Sequence, residues 1–151
     1  MIQRIQTVYL ALAVILLVLC CCMPLATFEP AGMGKPDVMY SLVIISGVGE
    51  ITSFLPTALF VVMVLAELVT VFAIMGYKNR RRQMKLCWLA VLLELLWLIG
   101  YAGKFFTVDE GVTPRVCLAA SFPVIAIILT VMARFAIKKD DDLVRSADRL
   151  R

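Results

Sequence analysis

Tyr77-Lys78-Asn79-Arg80-Arg81-Arg82-Gln83-Met84-Lys85 places five bases between two apolar stretches, Ile51 to Tyr77 and Leu86 to Gly103, each holding a single acid, Glu67 or Glu94. A helix rises 1.5 Å per residue and needs about 20 apolar residues to cross a hydrocarbon core of about 30 Å. The basic segment therefore reads as a short connection between two antiparallel spans. Moving outward, Ile5 to Phe28 holds 24 residues without a charge and Val116 to Ala133 another 18. That predicts four spans, at about 7–27, 55–76, 85–106 and 115–137, in a single domain covering 1–151, with a helical extension over 138–151.

Composition agrees with this division. The chain is 62% apolar and 17% charged with a mean hydropathy of +0.96, whereas a soluble domain is nearer half apolar and a quarter charged. A chain this short cannot hide that much apolar surface by folding on itself. The expected fold class is an all-α membrane protein, a four-transmembrane-helix bundle with a small β-hairpin-like loop outside and a helical tail inside.

Lysine and arginine set the orientation. Arg4, Lys78, Arg80, Arg81, Arg82, Lys85, Arg134, Lys138, Lys139, Arg145, Arg149 and Arg151 fall on one side, leaving Lys35, Lys104 and Arg115 of the 15 bases on the other. The positive-inside rule makes the richer side cytoplasmic, and both termini with it. The first span is too long for a cleaved signal peptide, and Pro24 would occupy position −3 of the cleavage site. Pro24 instead bends or ends the outer turn of a permanent helix.

The outer loops differ in character. Glu29 to Asp37 carries two prolines and two glycines and predicts turns. Val38 to Ser46 is short and β-branched, and Gly47-Val48-Gly49 can turn it onto Glu50 to Ser53 as a hairpin, in preference to an interfacial helix. Ser53 is positioned to cap span two. Thr107 to Pro114 reads as a simple connector, with Thr113-Pro114 opening span four. Pro123 is expected to kink that span, and Arg134 to snorkel from its inner end. Ala119, Ala126 and Ala133, and Gly100 with Gly103, form seams for close helix packing. Beyond Ile137 no glycine or proline interrupts the helix. Asp141 and Arg145 lie four apart, and Leu143, Ala147 and Leu150 share one face.

The ends and the inner connection also resemble a known family. Met1-Ile2-Gln3-Arg4-Ile5-Gln6 at the start, Tyr77-Lys78-Asn79-Arg80 with Gln83 and Leu86-Cys87 inside, and Leu143-Val144-Arg145-Ser146-Ala147-Asp148-Arg149-Leu150-Arg151 at the finish are similar to small four-span proteins of Bacteroidota catalogued only as a domain of unknown function. The resemblance implies a Gram-negative inner membrane with the acidic loops periplasmic. It implies no activity and transfers no catalytic or binding residue.

The chemistry left to the residues is sparse. With no histidine the commonest general base and the usual zinc sites are missing, and neither a nucleotide loop nor a catalytic pair is visible. No cofactor, metal or nucleic acid is expected, and the chain reads as non-enzymatic. An acid in hydrocarbon costs several kcal/mol unless protonated, paired or facing water. Counted from the inner ends of their spans, Glu67 and Glu94 reach similar depths, about 13 and 15 Å. They are the candidate proton or ion site; the plainer alternative is two protonated acids bonded within the bundle, Glu67 to Thr70 and Glu94 to Trp97 or Tyr101. Cys20, Cys21 or Cys22 could reach Cys117 in a disulfide, which leaves a quinone-linked oxidoreductase as a distant reading against five small apolar side chains.

The basic cluster Lys78, Arg80, Arg81, Arg82 and Lys85 anchors topology and meets anionic headgroups. Together with Leu143, Arg145, Ala147, Arg149, Leu150 and Arg151 it forms the candidate cytoplasmic interaction surface. The first expectation is a subunit or accessory of a larger membrane assembly. A proton- or cation-coupled transporter or channel subunit, as a homo-oligomer, is the second.

Overall fold

The computed structural model describes residues 3–32, 34–53, 56–106, 108 and 111–149, with the side chains of 3, 4, 78, 145 and 147–149 outside that description. Four helices, α1 (Gln3–Cys22), α2 (Thr57–Met75), α3 (Arg80–Phe105) and α4 (Phe122–Arg149), form the body. All four are long and apolar enough to cross a membrane. Five short strands, β1 (Ala26–Pro30), β2 (Asp37–Met39), β3 (Ile44–Ile45), β4 (Ile51–Ser53) and β5 (Val112–Val116), make one antiparallel sheet in the order β4-β3-β2-β1-β5.

Every helix buries a seam spaced alternately three and four residues apart. On α1 it is Gln6, Leu10, Ala13, Leu17 and Cys20; on α2, Leu59, Met63, Ala66, Thr70 and Ala73. On α3 it is Gln83, Cys87, Ala90, Glu94, Trp97 and Tyr101, and on α4 Ala126, Thr130, Ala133, Ile137 and Asp140. This is the heptad spacing of left-handed bundles, in which side chains of one helix enter gaps on the next. The alanines let the backbones approach, as the Ala119, Ala126, Ala133 spacing predicts. Gly100 packs under Leu59, whereas Gly103 has no neighbour in the space a side chain would take, so the second expected seam is half present. Outward positions are as apolar as the core: Ile15, Leu65, Leu92, Ile99 and Ile128 are all exposed.

The sheet caps the ends of the helices opposite the basic segment. Pro24 ends α1, because the chain before a proline is driven out of helical geometry. Leu25 is then held from three directions: its N–H donates to Met39 O at 2.8 Å, and its carbonyl accepts from Cys117 N (3.0 Å) and from the Tyr101 hydroxyl (2.9 Å). Trp97, Tyr101 and Phe105, four apart on α3, form an aromatic ladder. Trp97 stacks on Tyr101 with centroids 5.2 Å apart, Tyr101 meets Phe105 edge-on at 5.1 Å, and Phe105 reaches Phe28 of β1 at 6.5 Å. The predicted β3–β4 hairpin forms through Gly47 to Gly49, with Gly49 at φ +91° and the Gly47 N–H donating to Asp37 Oδ1 at 3.0 Å.

Several expectations need correction. Residues 107–114 are not a simple connector: Val112–Val116 is a strand paired with β1 along five residues. Pro114 sits at the sheet edge, where its missing N–H leaves no ladder bond unmade. Span four consequently starts not at 115 but with a 3-10 turn at Leu118–Ser121 that leads into α4 at Phe122, and Pro123 sits in the first turn of α4 rather than kinking it. Val38 to Ser46 is two strands, broken by a turn in which Tyr40 N donates to Val43 O. Ser53 belongs to β4, and the residue at the cap position of α2 is Pro56, which offers no side-chain cap. The predicted start of span two at 55 lies outside the described residues. Finally α3 begins at Arg80, five residues before the predicted 85, so Arg81, Arg82 and Lys85 stand exposed on its first turns rather than in a loop. Asn79 makes that early start possible by capping the helix, its side chain accepting from the Arg82 N–H.

Candidate functional site

The buried seam separates into two apolar clusters. One, beneath the sheet, includes Leu17, Met63, Trp97, Tyr101 and Ala126; the other, at the basic end, joins Leu10, Ala73, Cys87, Ala133 and Ile137. Between them α2, α3 and α4 each place one fully buried polar side chain, Thr70, Glu94 and Thr130. Thr70 satisfies itself by donating to Ala66 O at 2.8 Å, the back-bond open to a hydroxyl on a helix. Thr130 Oγ1 and both Glu94 carboxyl oxygens have no hydrogen-bond partner. A carboxyl without a partner in an apolar interior is a cost of about 1–3 kcal/mol even when uncharged. Glu94 is thus the least satisfied group in the middle of the bundle.

Glu67 is differently placed. It is half-buried and accepts from the Cys21 thiol of α1 at 3.4 Å. Leu59 packing on Gly100 registers α2 against α3, and counting eight residues along each helix sets Glu67 opposite Leu92, within about 3 Å of the level of Glu94. The two acids therefore share a depth but not a hydrogen bond. None of the three expected local partners is used: Thr70 donates to Ala66, Tyr101 donates to Leu25, and Trp97 Nε1 is unpartnered.

The basic end holds a second set of polar seam residues. Arg80 Nη2 lies 2.8 Å from Asp140 Oδ2 across α3 and α4, an ion pair whose alignment falls short of a hydrogen bond, with side-chain exposures of 24% and 13%. Gln83 and Gln6 are buried beside it, and Gln6 Nε2 has no partner. A cavity of about 500 Å³ opens here between α1 and the start of α3, lined by Gln6, Thr7, Val8, Ala11, Tyr77, Arg80 and Gln83. Arg134 sets its guanidinium 4.7 Å from the ring centre of Trp88 on α3, a contact of about 0.5–2 kcal/mol, while its Nε is buried without a partner.

Helix α4 continues past Ile137 to Arg149, as predicted. Its extension presents Leu143 and Val144, which are 49% and 43% exposed. Leu143 is thus about half exposed; Asp140, a residue absent from the predicted surface, makes the attachment to Arg80. The side chains of Lys78, Arg145, Ala147 and Arg149, and all of Leu150 and Arg151, lie outside the described residues. All five cysteines are free, so the disulfide to Cys117 is not formed. Among the described residues no group of three or more Cys, Asp or Glu is arranged to hold a metal ion.

Sequence reasoning missed Gln6, Gln83 and Asp140. A signal for them exists: each continues the three-and-four spacing of its own helix, a pattern visible once the apolar positions are written in heptads. A family model matches residues 2–150, and its description is Domain of unknown function (DUF4293). No curated protein matches the chain.

Proposed function

The chain belongs to this family of unknown function, and from its own residues we propose that it is a non-enzymatic inner-membrane protein acting as a subunit or accessory of a larger membrane assembly. The four apolar helices cross the bilayer, the basic end and both termini face the cytoplasm, and the sheet lies on the periplasmic side. The observation that carries the assembly role is the end of α4. Fixed to α3 by Arg80 and Asp140, it projects beyond the bundle and holds Leu143 and Val144 toward the surroundings. An exposed apolar pair on a charged helix outside the hydrocarbon has no lipid to cover it. A partner helix or surface is the natural cover.

The test is purification of the full chain in mild detergent or native nanodiscs with identification of what accompanies it. A larger membrane protein in stoichiometric amount supports the proposal. Loss of that partner on deleting residues 143–151, with the bundle still inserted, would locate the contact; full retention would remove the tail from the account.

Glu94 favours a second reading, a proton- or cation-coupled transporter or channel subunit. Its two unpartnered oxygens lie at the level of Glu67 between apolar clusters, the kind of intramembrane acid that marks ion paths. Flux into vesicles carrying the purified chain, abolished by Glu94→Gln in a folded protein, would support it. A stoichiometric partner and no flux would leave the accessory reading alone.

A further inference from the structure

We propose that the cavity at the basic end, between α1 and the start of α3, is a binding site for the phosphate headgroup of an anionic phospholipid. The inference rests on the reading that this end lies at the cytoplasmic leaflet, and it adds a specific ligand site to that reading. The cavity's volume of about 500 Å³ is within the usual range for sites that hold a small molecule or headgroup.

The lining divides by depth. Arg80, Gln83, Tyr77, Gln6 and Thr7 supply polar groups, while Val8 and Ala11 continue along α1 toward the hydrocarbon. Gln6 to Ala11 covers about 8 Å of helix, enough to pass from a headgroup to the first methylenes of an acyl chain. No carboxylate is among the lining residues. Gln6 is only 5% exposed and its Nε2, a donor, has no partner. A buried unpaired donor next to a guanidinium is suited to an oxygen acceptor of negative charge. Arg80 holds Nη2 against Asp140 Oδ2 as an ion pair at 2.8 Å and donates Nη1 to the Asp140 carbonyl at 3.5 Å. A guanidinium has five N–H donors, so others remain. Asp140 neutralises one charge, Asp141 and Asp142 follow it on α4, and Arg81, Arg82 and Lys85 stand exposed on the first turns of α3. An anionic lipid is therefore preferred to a zwitterionic one.

The experiment uses the full chain, stripped of lipid in mild detergent and offered phosphatidylglycerol, phosphatidylcholine or inorganic phosphate, with bound lipid read by native mass spectrometry and stability by thermal unfolding. Wild-type protein should retain phosphatidylglycerol and be stabilised by it more than by either alternative. Gln6→Leu removes the free donor without touching Asp140 and should weaken that binding about 10-fold, the effect of one hydrogen bond to a charged group. Ala11→Phe should block the acyl path and weaken binding as much. Leu143→Ala, outside the cavity, should bind as wild type. Equal binding of phosphatidylcholine, equal stabilisation by inorganic phosphate, or unchanged affinity in both cavity variants would each overturn the proposal. A chain that keeps its protein partner but shows no lipid preference refutes the site alone; one with the lipid preference and no partner refutes the assembly role alone.

Discussion

Breaking the Arg80–Asp140 pair should loosen the end of α4 without unfolding the bundle. The charged atoms are 2.8 Å apart, so their direct attraction is about 6 kcal/mol at an effective dielectric of 20. Desolvation and ordering of the side chains offset most of this. Exposed pairs yield about 0–1 kcal/mol, and breaking a fully buried pair costs about 3–5 kcal/mol. With exposures of 24% and 13%, the expected loss for Asp140→Asn or Arg80→Gln is about 1–3 kcal/mol. The two changes together should cost less than their sum by about 1 kcal/mol or more. Unfolding of the four proteins of this cycle in one detergent gives the coupling, and hydrogen exchange across Lys138 to Arg149 should quicken in both single variants. Additivity within about 0.5 kcal/mol, with unchanged exchange, would refute the claim that this pair fixes the tail.

Other consequences are local. Glu94→Leu removes a buried carboxyl that makes no hydrogen bond, so the thermal midpoint should hold or rise, by up to about 1–3 kcal/mol in stability; a marked fall would mean that Glu94 has a partner in the membrane. Gly47→Ala would set a Cβ 2.6 Å from the Lys35 carbonyl oxygen, and since backbone cannot yield cheaply the hairpin should be displaced, with faster proteolysis between Lys35 and Ser53 while the helices stay intact. Tyr101→Phe should cost about 0.5–1.5 kcal/mol, because Leu25 O keeps its bond from Cys117 N and the ring ladder survives; a much larger loss, measured by unfolding, would show that the hydroxyl holds more of the sheet than this one bond.

The helices were legible because length and charge spacing are one-dimensional signals. Ile5 to Phe28 needs no partner to declare itself apolar. The sheet was legible only where its pairing is local: Gly47-Val48-Gly49 marks β3 and β4, but β5 pairs with β1 from over eighty residues away, and a five-residue strand carrying a proline looks like a connector until its partner is known. The edge position that tolerates Pro114 is a property of the assembled sheet. At the site, Glu67 and Glu94 stood out as charges in apolar runs, and their common depth followed from counting. Their partners did not follow, since rotation about each helix axis decides whether a carboxyl meets Cys21 or meets nothing. Asp140 was passed over because three consecutive aspartates read as a solvated run; only the heptad phase separates the one that turns inward from the two that follow it.

The central claim is that the apolar helices cross a membrane with the Arg80 end inside and the sheet outside. Fusing a reporter that is active only in the periplasm after Arg151, and separately inserting it in the exposed turn at Val48, tests it directly. The reporter should be silent at Arg151 and active at Val48; activity at Arg151, or silence at Val48 in a protein that still inserts, would contradict this topology.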